Sequence, residues 1–487
     1  MTDVPPSTDV PPSATSMRAA SVSQLHAGAA RADITPELGH NLAGWVQARP
    51  ATRRVTPILA RALALATDDV VDDADEYIRG YIHEQAILIS CDLLWVPGPL
   101  SKRVREAVQE CCGVPAQHVF VFPSHNHYGP NVDPAIWSYA EAQTPQEMAY
   151  IEALPEQFAA AARAALDDLR PAHWGIGTDE EDAICHNSRF WRKDGTINWV
   201  GERSAHWASD RAPSVNGGPI DPQVGLVLIS DERGAPIATL YNYACHANCA
   251  EEAGFSAISW DWVGYASQAI EEALGGEALF LLGACGNVHP VREGVAQEMG
   301  RRMGDRVVRA AQGIKTTRRA SMTVSQREIV LPARDFGAFD PRQIEAICSQ
   351  LWNEEARSIA RGVFLDELQA LRAAGRSQTV AQIGAIRLGD LAIVCIPGEF
   401  FVELGLEIKR RSPFAHTFVA TLVNDAIGYI PTRKAYEEGG YQTTTVARIA
   451  PGGGERIVEE SLALLEALNP AAWEPPPHEP PSGHNGW

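Results

Sequence analysis

The segment VFVFPSHNHYGP (residues 119–130) ends a strongly apolar run with two histidines one residue apart. In a strand, residues i and i+2 share a face, so His125 and His127 would present both imidazoles to one point. Two converging imidazoles serve a metal ion or a proton relay, and either needs partners from elsewhere in the chain. Three other apolar runs end in groups able to supply them. NYACHANCAEE places His246, IVCIPGEFF places Glu399 directly after Pro397 and Gly398, and VNDAIGYIPT places Tyr429. Two imidazoles, a carboxylate and a phenolate form a hard-to-borderline donor set that suits zinc and leaves a position for water. A zinc ion so held would generate hydroxide near neutral pH and polarise a carbonyl, which is hydrolytic chemistry. Each residue alone also has a plainer reading. His246 could be a hydrogen-bonded structural imidazole, Glu399 a carboxylate at a helix N-terminus, and Tyr429 a packing aromatic. Spacing by itself does not connect the four.

The elements that must position these groups are short apolar runs alternating with helical patterns, bounded by Gly, Pro or Asp. The expected strands are QAILISCDLLWV, QHVFVFPS, QVGLVLIS, ATLYNYACH, ALFLLGACG, MTVSQREIVL, QIGAIRL, LAIVCIPG and TFVATLVND. The turns SDERGAP and LGDL predict two antiparallel hairpins. Helical patterns follow in LSKRVREAVQECC, PQEMAYIEALPEQFAAAARAALDDL, DWVGYASQAIEEAL, EGVAQEMGRRMGDRVVRAAQ and the charged stretch 341–376. Hairpins mixed with strand-to-helix units predict an α/β fold of the mixed α+β kind, with mixed sheets layered by helices.

A chain of 487 residues, 45% of them apolar, can bury a large core, and a formal charge of -20 argues against nucleic acid or an anionic membrane as partner. The N-terminal 25 residues repeat TDVPPS and lack the apolar stretch of a signal peptide, so they read as a disordered tail; the Pro-rich residues 471–487 read the same way. The body from 26 to 470 shows no compositional break and is expected to be one catalytic domain. No segment is long and apolar enough to span a bilayer, which predicts a cytoplasmic protein without stable membrane association. Nine scattered cysteines without a CxxC pair fit reduced thiols. The sequence leaves open whether the chain forms a homo-oligomer.

Taken together, these motifs resemble the neutral/alkaline, non-lysosomal ceramidase family, zinc-dependent amidases that cleave the N-acyl bond of ceramide. ARADITPELG followed by LAGW is similar to that family's opening segment, SHNHYGP to its SHTHSGP, and ACHAN stands where it has AVHGTS. WDWVGYAS is similar to SDNMGYAS and IPGEFF to VPGEFT. NDAIGYIPTRKAYEEGGYQ resembles its segment with a zinc tyrosine and two later tyrosines. The matches keep their order across residues 29–442. The resemblance implies a ceramidase-like catalytic fold and zinc held by His125, His246, Glu399 and Tyr429. It makes His127 a neighbour that hydrogen-bonds substrate or the activated water, puts Asp261 on the family's active-site aspartate, and places Tyr441 near the reacting carbonyl.

One departure bears on the substrate. Where ceramidases carry GDVSP with an active-site serine, this chain has Gly286-Asn287-Val288-His289-Pro290. An imidazole differs from a hydroxyl in size, charge and proton affinity, so His289 is expected to act as a general acid, a further ligand, a selective polar contact, or simply as the holder of a turn. The chain also lacks the immunoglobulin-like C-terminal module of longer ceramidases, which favours a soluble small molecule over a membrane lipid. The loop NSRFWRKDGTINWVGERSAHW, with His186, Arg189, Arg192 and Arg203, reads either as pocket lining that meets a substrate carboxylate or as an ordered surface loop. The expected activity is metal-dependent hydrolysis of a linear or cyclic amide. Lactone or ester hydrolysis, a lyase or isomerase reaction, and a metal-binding relative without turnover are the alternatives.

Overall fold

The computed structural model describes residues 23–46, 48–69, 82–134, 144–191, 197–198, 217–250, 253–291, 295–349, 351 and 354–469. Most of the two expected tails, and Arg192 and Arg203, lie outside these. The strands that build the sheets and carry the site are β1 (Ser23–Asp33), β2 (Leu59–Asp69), β3 (Ile82–Cys91), β4 (Val119–Pro123), β5 (Arg170–Glu180), β6 (Cys185–Asn187), β7 (Gln223–Asp231), β8 (Pro236–Tyr243), β9 (Glu277–Leu282), β10 (Val288–Pro290), β11 (Met322–Pro332), β12 (Gln378–Leu388), β13 (Leu391–Ile396), β14 (Glu399–Phe400), β15 (His416–Thr421) and β16 (Tyr429–Ile430). The helices are α1 (Gly98–Cys112), α2 (Pro145–Asp167), α3 (Asp261–Leu274), α4 (Ala296–Ala311), α5 (Arg342–Cys348), α6 (Glu354–Ala374), α7 (Val402–Arg411), α8 (Arg433–Glu438) and α9 (Gly453–Leu468).

These elements form the mixed α/β architecture expected from the sequence. A large sheet runs in the order β9-β8-β7-β5-β1-β2-β3-β4, and a four-stranded sheet runs β11-β12-β13-β15. Both predicted hairpins are present, β7 with β8 and β12 with β13, each antiparallel. The end pairs β3–β4, β8–β9 and β13–β15 are parallel. Ser90 of β3 accepts from Phe280 N and donates to Phe280 O of β9 at 3.1 and 2.9 Å, so the large sheet curls until its β9 end meets β3.

The two sheets pack face to face, and helices cover the outer face of each. Period-two alternation assigns the side chains. Ile393 and Cys395 enter the cluster between the sheets, which also holds Phe120, Phe122, Leu279 and Leu281. Ala392, Val394 and Ile396 point the other way, onto α6, α7 and α9. In β4, Val119 and Val121 turn instead to α1 and α2. Strands covered on both faces explain the uninterrupted apolar runs in the sequence.

Three long strands, β1, β2 and β5, and the short β6, β10, β14 and β16 were not expected from the sequence. LARALALATDD reads as a helix former, yet it is β2, because Ala60, Ala62 and Ala64 let α2 lie close on one face while Leu63 and Leu65 fill the inter-sheet core. Ser23–Leu25, within the stretch expected as a tail, belong to β1, which pairs with β2. The charged stretch 341–376 folds as α5 and α6. Among the described residues no helix is long and apolar enough to cross a membrane, and all nine cysteines are free thiols.

Candidate metal centre

Every segment that carries a candidate ligand leaves the C-terminal end of a strand in one of the parallel pairs. His125 and His127 follow β4, His246 follows β8, Glu399 follows β13 and Tyr429 follows β15. Parallel pairing sends both strands of a pair out on the same side, so the loops gather there.

The two histidines of H-x-H do converge, but not through a strand. β4 stops at Pro123, and His125 has a left-handed φ of +62°, uncommon for a residue with a Cβ. The intervening Asn126 fixes this turn. It is fully buried, its amide donates to Asp92 O and Ser259 O at 3.1 and 2.7 Å, and its side-chain oxygen accepts from Tyr128 N at 2.9 Å. The backbone of His127 then donates to Ala247 O at 2.9 Å, tying the H-x-H turn to the segment that bears His246.

The hydrogen bonds of the three imidazoles settle where their protons sit. Nδ1 of His125 bonds Leu94 O at 3.1 Å, Nδ1 of His127 bonds Gly44 O at 3.1 Å, and Nδ1 of His246 bonds Val288 O at 3.0 Å. A carbonyl can only accept, so each Nδ1 carries a hydrogen and, in the neutral ring, each Nε2 presents a lone pair. These ligand atoms lie within 4.8 Å of one another, close enough to share a metal ion. Nε2 of His125 and Nε2 of His127 approach to 3.4 Å; two lone pairs facing each other repel unless a cation lies between them. Gly44 permits this contact. Its φ is +88°, and a Cβ there would sit 2.4 Å from His127 Nδ1.

Glu399 closes the cluster. Its Oε2 stands 3.3 Å from His125 Nε2 and 3.5 Å from His246 Nε2. Both His246 Nε2 and Glu399 Oε2 are buried without a hydrogen-bond partner. Native interiors rarely leave such atoms unsatisfied, and a metal ion supplies what both lack. Burial alone would raise the Glu399 pKa, but positive charge at the neighbouring His125 and His246 outweighs it and brings the carboxyl down to about 2; a cation held among them would act in the same direction. Burial and the adjacent His125 depress the His246 pKa, which keeps that ring neutral. Tyr429 sits directly opposite Glu399 in the parallel ribbon of β14 and β16, which brings its phenol beside the Glu399 carboxylate. Burial, Glu399 and Tyr441 push the Tyr429 phenol well above its ordinary range. Anions nearby disfavour a phenolate; a cation would reverse that.

The cluster opens into a pocket with about 640 Å³ of non-atom space, part of it open to solvent. His125, His127, Glu399, Tyr429 and Tyr441 line it, with Gly44, Leu94, Trp95, Asp133, Glu367, Leu422, Ala426, Gly428, Val446 and Arg448. Tyr441 meets Tyr429 edge to face at 5.7 Å. Trp95 stacks on His125 at 6.3 Å.

Two of the residues expected at the site, Asp261 and His289, do not line the pocket but pack behind His246. Asp261 is fully buried at the start of α3, with φ +52°, and accepts from Cys249 N, Ala250 N and Trp262 N at 2.9, 3.1 and 2.6 Å. Trp262 in turn donates its indole N–H to His246 O at 2.8 Å, so Asp261 holds the loop behind His246. Burial is the main cause that raises its pKa, to about 6. His289 stacks flat on His246, rings 4.0 Å apart at 24°, and is not one of the three grouped imidazoles. Its Nδ1 accepts from Asn248 Nδ2 at 3.2 Å, which leaves its proton on Nε2, the opposite tautomer. His186 is its antiparallel partner between β10 and β6.

Arg189 is not a pocket residue either. It is 2% exposed and clamps the segment that carries Tyr441, donating to Gly439 O at 2.9 Å, Glu438 Oε2 at 3.2 Å, Ala435 O at 3.3 Å and Gln442 Oε1 at 3.5 Å. The pocket residues that sequence reasoning missed are Trp95, Asp133, Glu367 and Arg448. No local motif marks them, since only tertiary packing brings α6 and the segment after Tyr441 to the wall.

No protein-family model matches the sequence, and no curated protein matches it significantly. Solved structures do match in fold. The neutral ceramidase from Pseudomonas aeruginosa superposes with a TM-score of 0.64 at 18% identity, over 93% of this chain and 76% of that one. A structure described as ceramidase complexed with C2 gives the same TM-score and identity, over 93% and 77%. The chain thus has a neutral-ceramidase-like fold.

Proposed function

We propose that this chain is a zinc-dependent hydrolase that cleaves the C–N bond of a small-molecule amide with water activated at the histidine cluster. The observation that carries the reading is the convergence of three imidazoles, two of them within 3.5 Å of a buried carboxylate, with His246 Nε2 and Glu399 Oε2 otherwise unsatisfied. Imidazole and carboxylate donors suit zinc. The fold shared with ceramidases, enzymes that act on an amide, supports the same reaction class.

His125, His246 and Glu399 would hold the ion, with Tyr429 as a fourth donor. When bound, zinc supplies Lewis acidity, acidifying water and polarising a carbonyl. The protein's own residues do the rest. The backbone carbonyls on each Nδ1 keep the imidazoles oriented, and their Nε2 atoms stay available as donors of electron pairs. His127 lines the pocket with Nε2 toward the cluster and its Nδ1–H fixed on Gly44 O, so it can take a proton at Nε2 and return it to the departing nitrogen. Tyr441, on the pocket wall against Tyr429, offers a hydroxyl to the oxygen that gains charge. His289 and Asp261 position His246 from behind.

The test is hydrolysis of a panel of N-acyl amino acids, cyclic amides, lactones and a short-chain ceramide, with and without chelator. Release of an amine that stops on chelation and returns with zinc is the expected result. Amine release insensitive to chelator would refute the metal, and turnover of lactones alone would refute the amide.

A further inference from the structure

Among the described residues that line the pocket, only one is an arginine, Arg448. It is carried by a segment locked to the site: Gly428 and Ala447 form an antiparallel bridge, and Tyr429 N donates to Val446 O at 3.0 Å. That approach requires Gly428, whose φ is +94° and where a Cβ would lie 2.4 Å from Val446 O.

The orientation of the guanidinium is set by Glu367 of α6. Arg448 Nη2 donates to Glu367 Oε1 at 3.1 Å, and the other Glu367 oxygen accepts the Thr445 hydroxyl at 2.6 Å. The Glu367 side chain is 11% exposed and that of Arg448 is 44% exposed. Glu367 is therefore satisfied by two neighbours and acts as a bracket. Nε and Nη1 of Arg448 bond no other described residue. A guanidinium offers its N–H groups as a planar fork that matches a carboxylate, and here half the fork is spent on Glu367. Asp133 and Glu367 line the same pocket. A hydrocarbon chain laid over these three charges would strip their water and return nothing.

We infer that Arg448 is a specificity-determining residue that takes a carboxylate on the substrate, so the amide cleaved is that of a small anion, an N-acyl amino acid or the monoamide of a dicarboxylic acid. The inference rests on the hydrolase reading for its chemistry but not for its test. Two metal-chelating hydroxamates of equal length, one ending in a carboxylate and one in a carboxamide, are titrated calorimetrically into the zinc-loaded protein. The carboxylate compound is expected to bind about tenfold tighter, the order of a charge-assisted pair at a partly exposed site. Arg448→Gln should abolish that preference and leave the affinity of the carboxamide compound unchanged, which also reports an intact pocket. Arg448→Lys should keep part of it, retaining charge without the fork. Equal binding by the wild type, binding of neither compound, or a preference that survives in Arg448→Gln would overturn the inference. A protein that shows the preference yet hydrolyses no amide would instead leave Arg448 as the carboxylate contact and sink the hydrolase reading with the amide named for it.

Discussion

Arg189→Ala tests whether the segment beneath Tyr441 is held for chemistry or only for stability. The guanidinium is almost fully buried, donates to four acceptors, and packs 5.6 Å over the ring of Phe401, two residues from Glu399. Removing it strands Glu438 and the carbonyls of Ala435 and Gly439. Breaking a buried pair costs ~3–5 kcal/mol, and because the Glu438 side chain is 15% exposed and also accepts the Trp191 indole N–H, the lower end applies. The free energy of urea unfolding should fall by about 3 kcal/mol. Zinc content should stay at the wild-type level, since none of the four proposed ligands bonds Arg189. In the folded, zinc-loaded fraction, kcat should drop more than KM rises, because Tyr441 is placed to act as the carbonyl oxygen gains charge. Arg189→Lys should recover part of the stability and less of kcat, as an ammonium cannot span the same acceptors. A stability loss under ~1 kcal/mol, or a kcat unchanged per zinc-loaded molecule, would refute the reasoning.

Two further outcomes are expected. His289→Ser removes the ring stacked on His246; an aromatic pair is worth ~0.5–1.5 kcal/mol, so hydrolysis should fall by up to about tenfold with zinc retained, whereas loss of zinc would make His289 a ligand. Asp261 has its pKa raised from 3.8 to about 6 in the folded protein, so its contribution to stability is fully present below pH 3.8 and is lost as pH rises through about 6. The destabilisation caused by Asp261→Asn should therefore shrink by about 3 kcal/mol from pH 3.5 to 7, read by urea unfolding; a cost that grew with pH would contradict the burial described here.

How far the sequence speaks can be judged residue by residue. Chemistry-bearing residues at the ends of apolar runs are legible, because a strand end is where a side chain can leave the core and meet others. The type of ligand follows from the residue, but the lone pair it offers does not. That His125, His127 and His246 all present Nε2 depends on carbonyls of Leu94, Gly44 and Val288, which no spacing reveals. The H-x-H pair converges through a left-handed turn pinned by Asn126 rather than through a pleat, so the right meeting was expected for the wrong local reason. Alanine-rich β2 is not legible as a strand because propensity is local, while its small side chains answer a demand for close packing by α2. Arginines mislead most. Arg189 sits in a loop that looks like a substrate wall yet is a buried clamp, and Arg448, in an unremarked TTTVAR run, is the one brought to the pocket.

The most direct test of the metal centre is elemental analysis of the purified protein beside His246→Ala and Glu399→Ala. Close to one zinc ion per chain in the wild type, and little in either variant with the fold intact by circular dichroism, is the predicted result. A wild-type protein that takes up no zinc on reconstitution, or variants that keep their full complement, would contradict it.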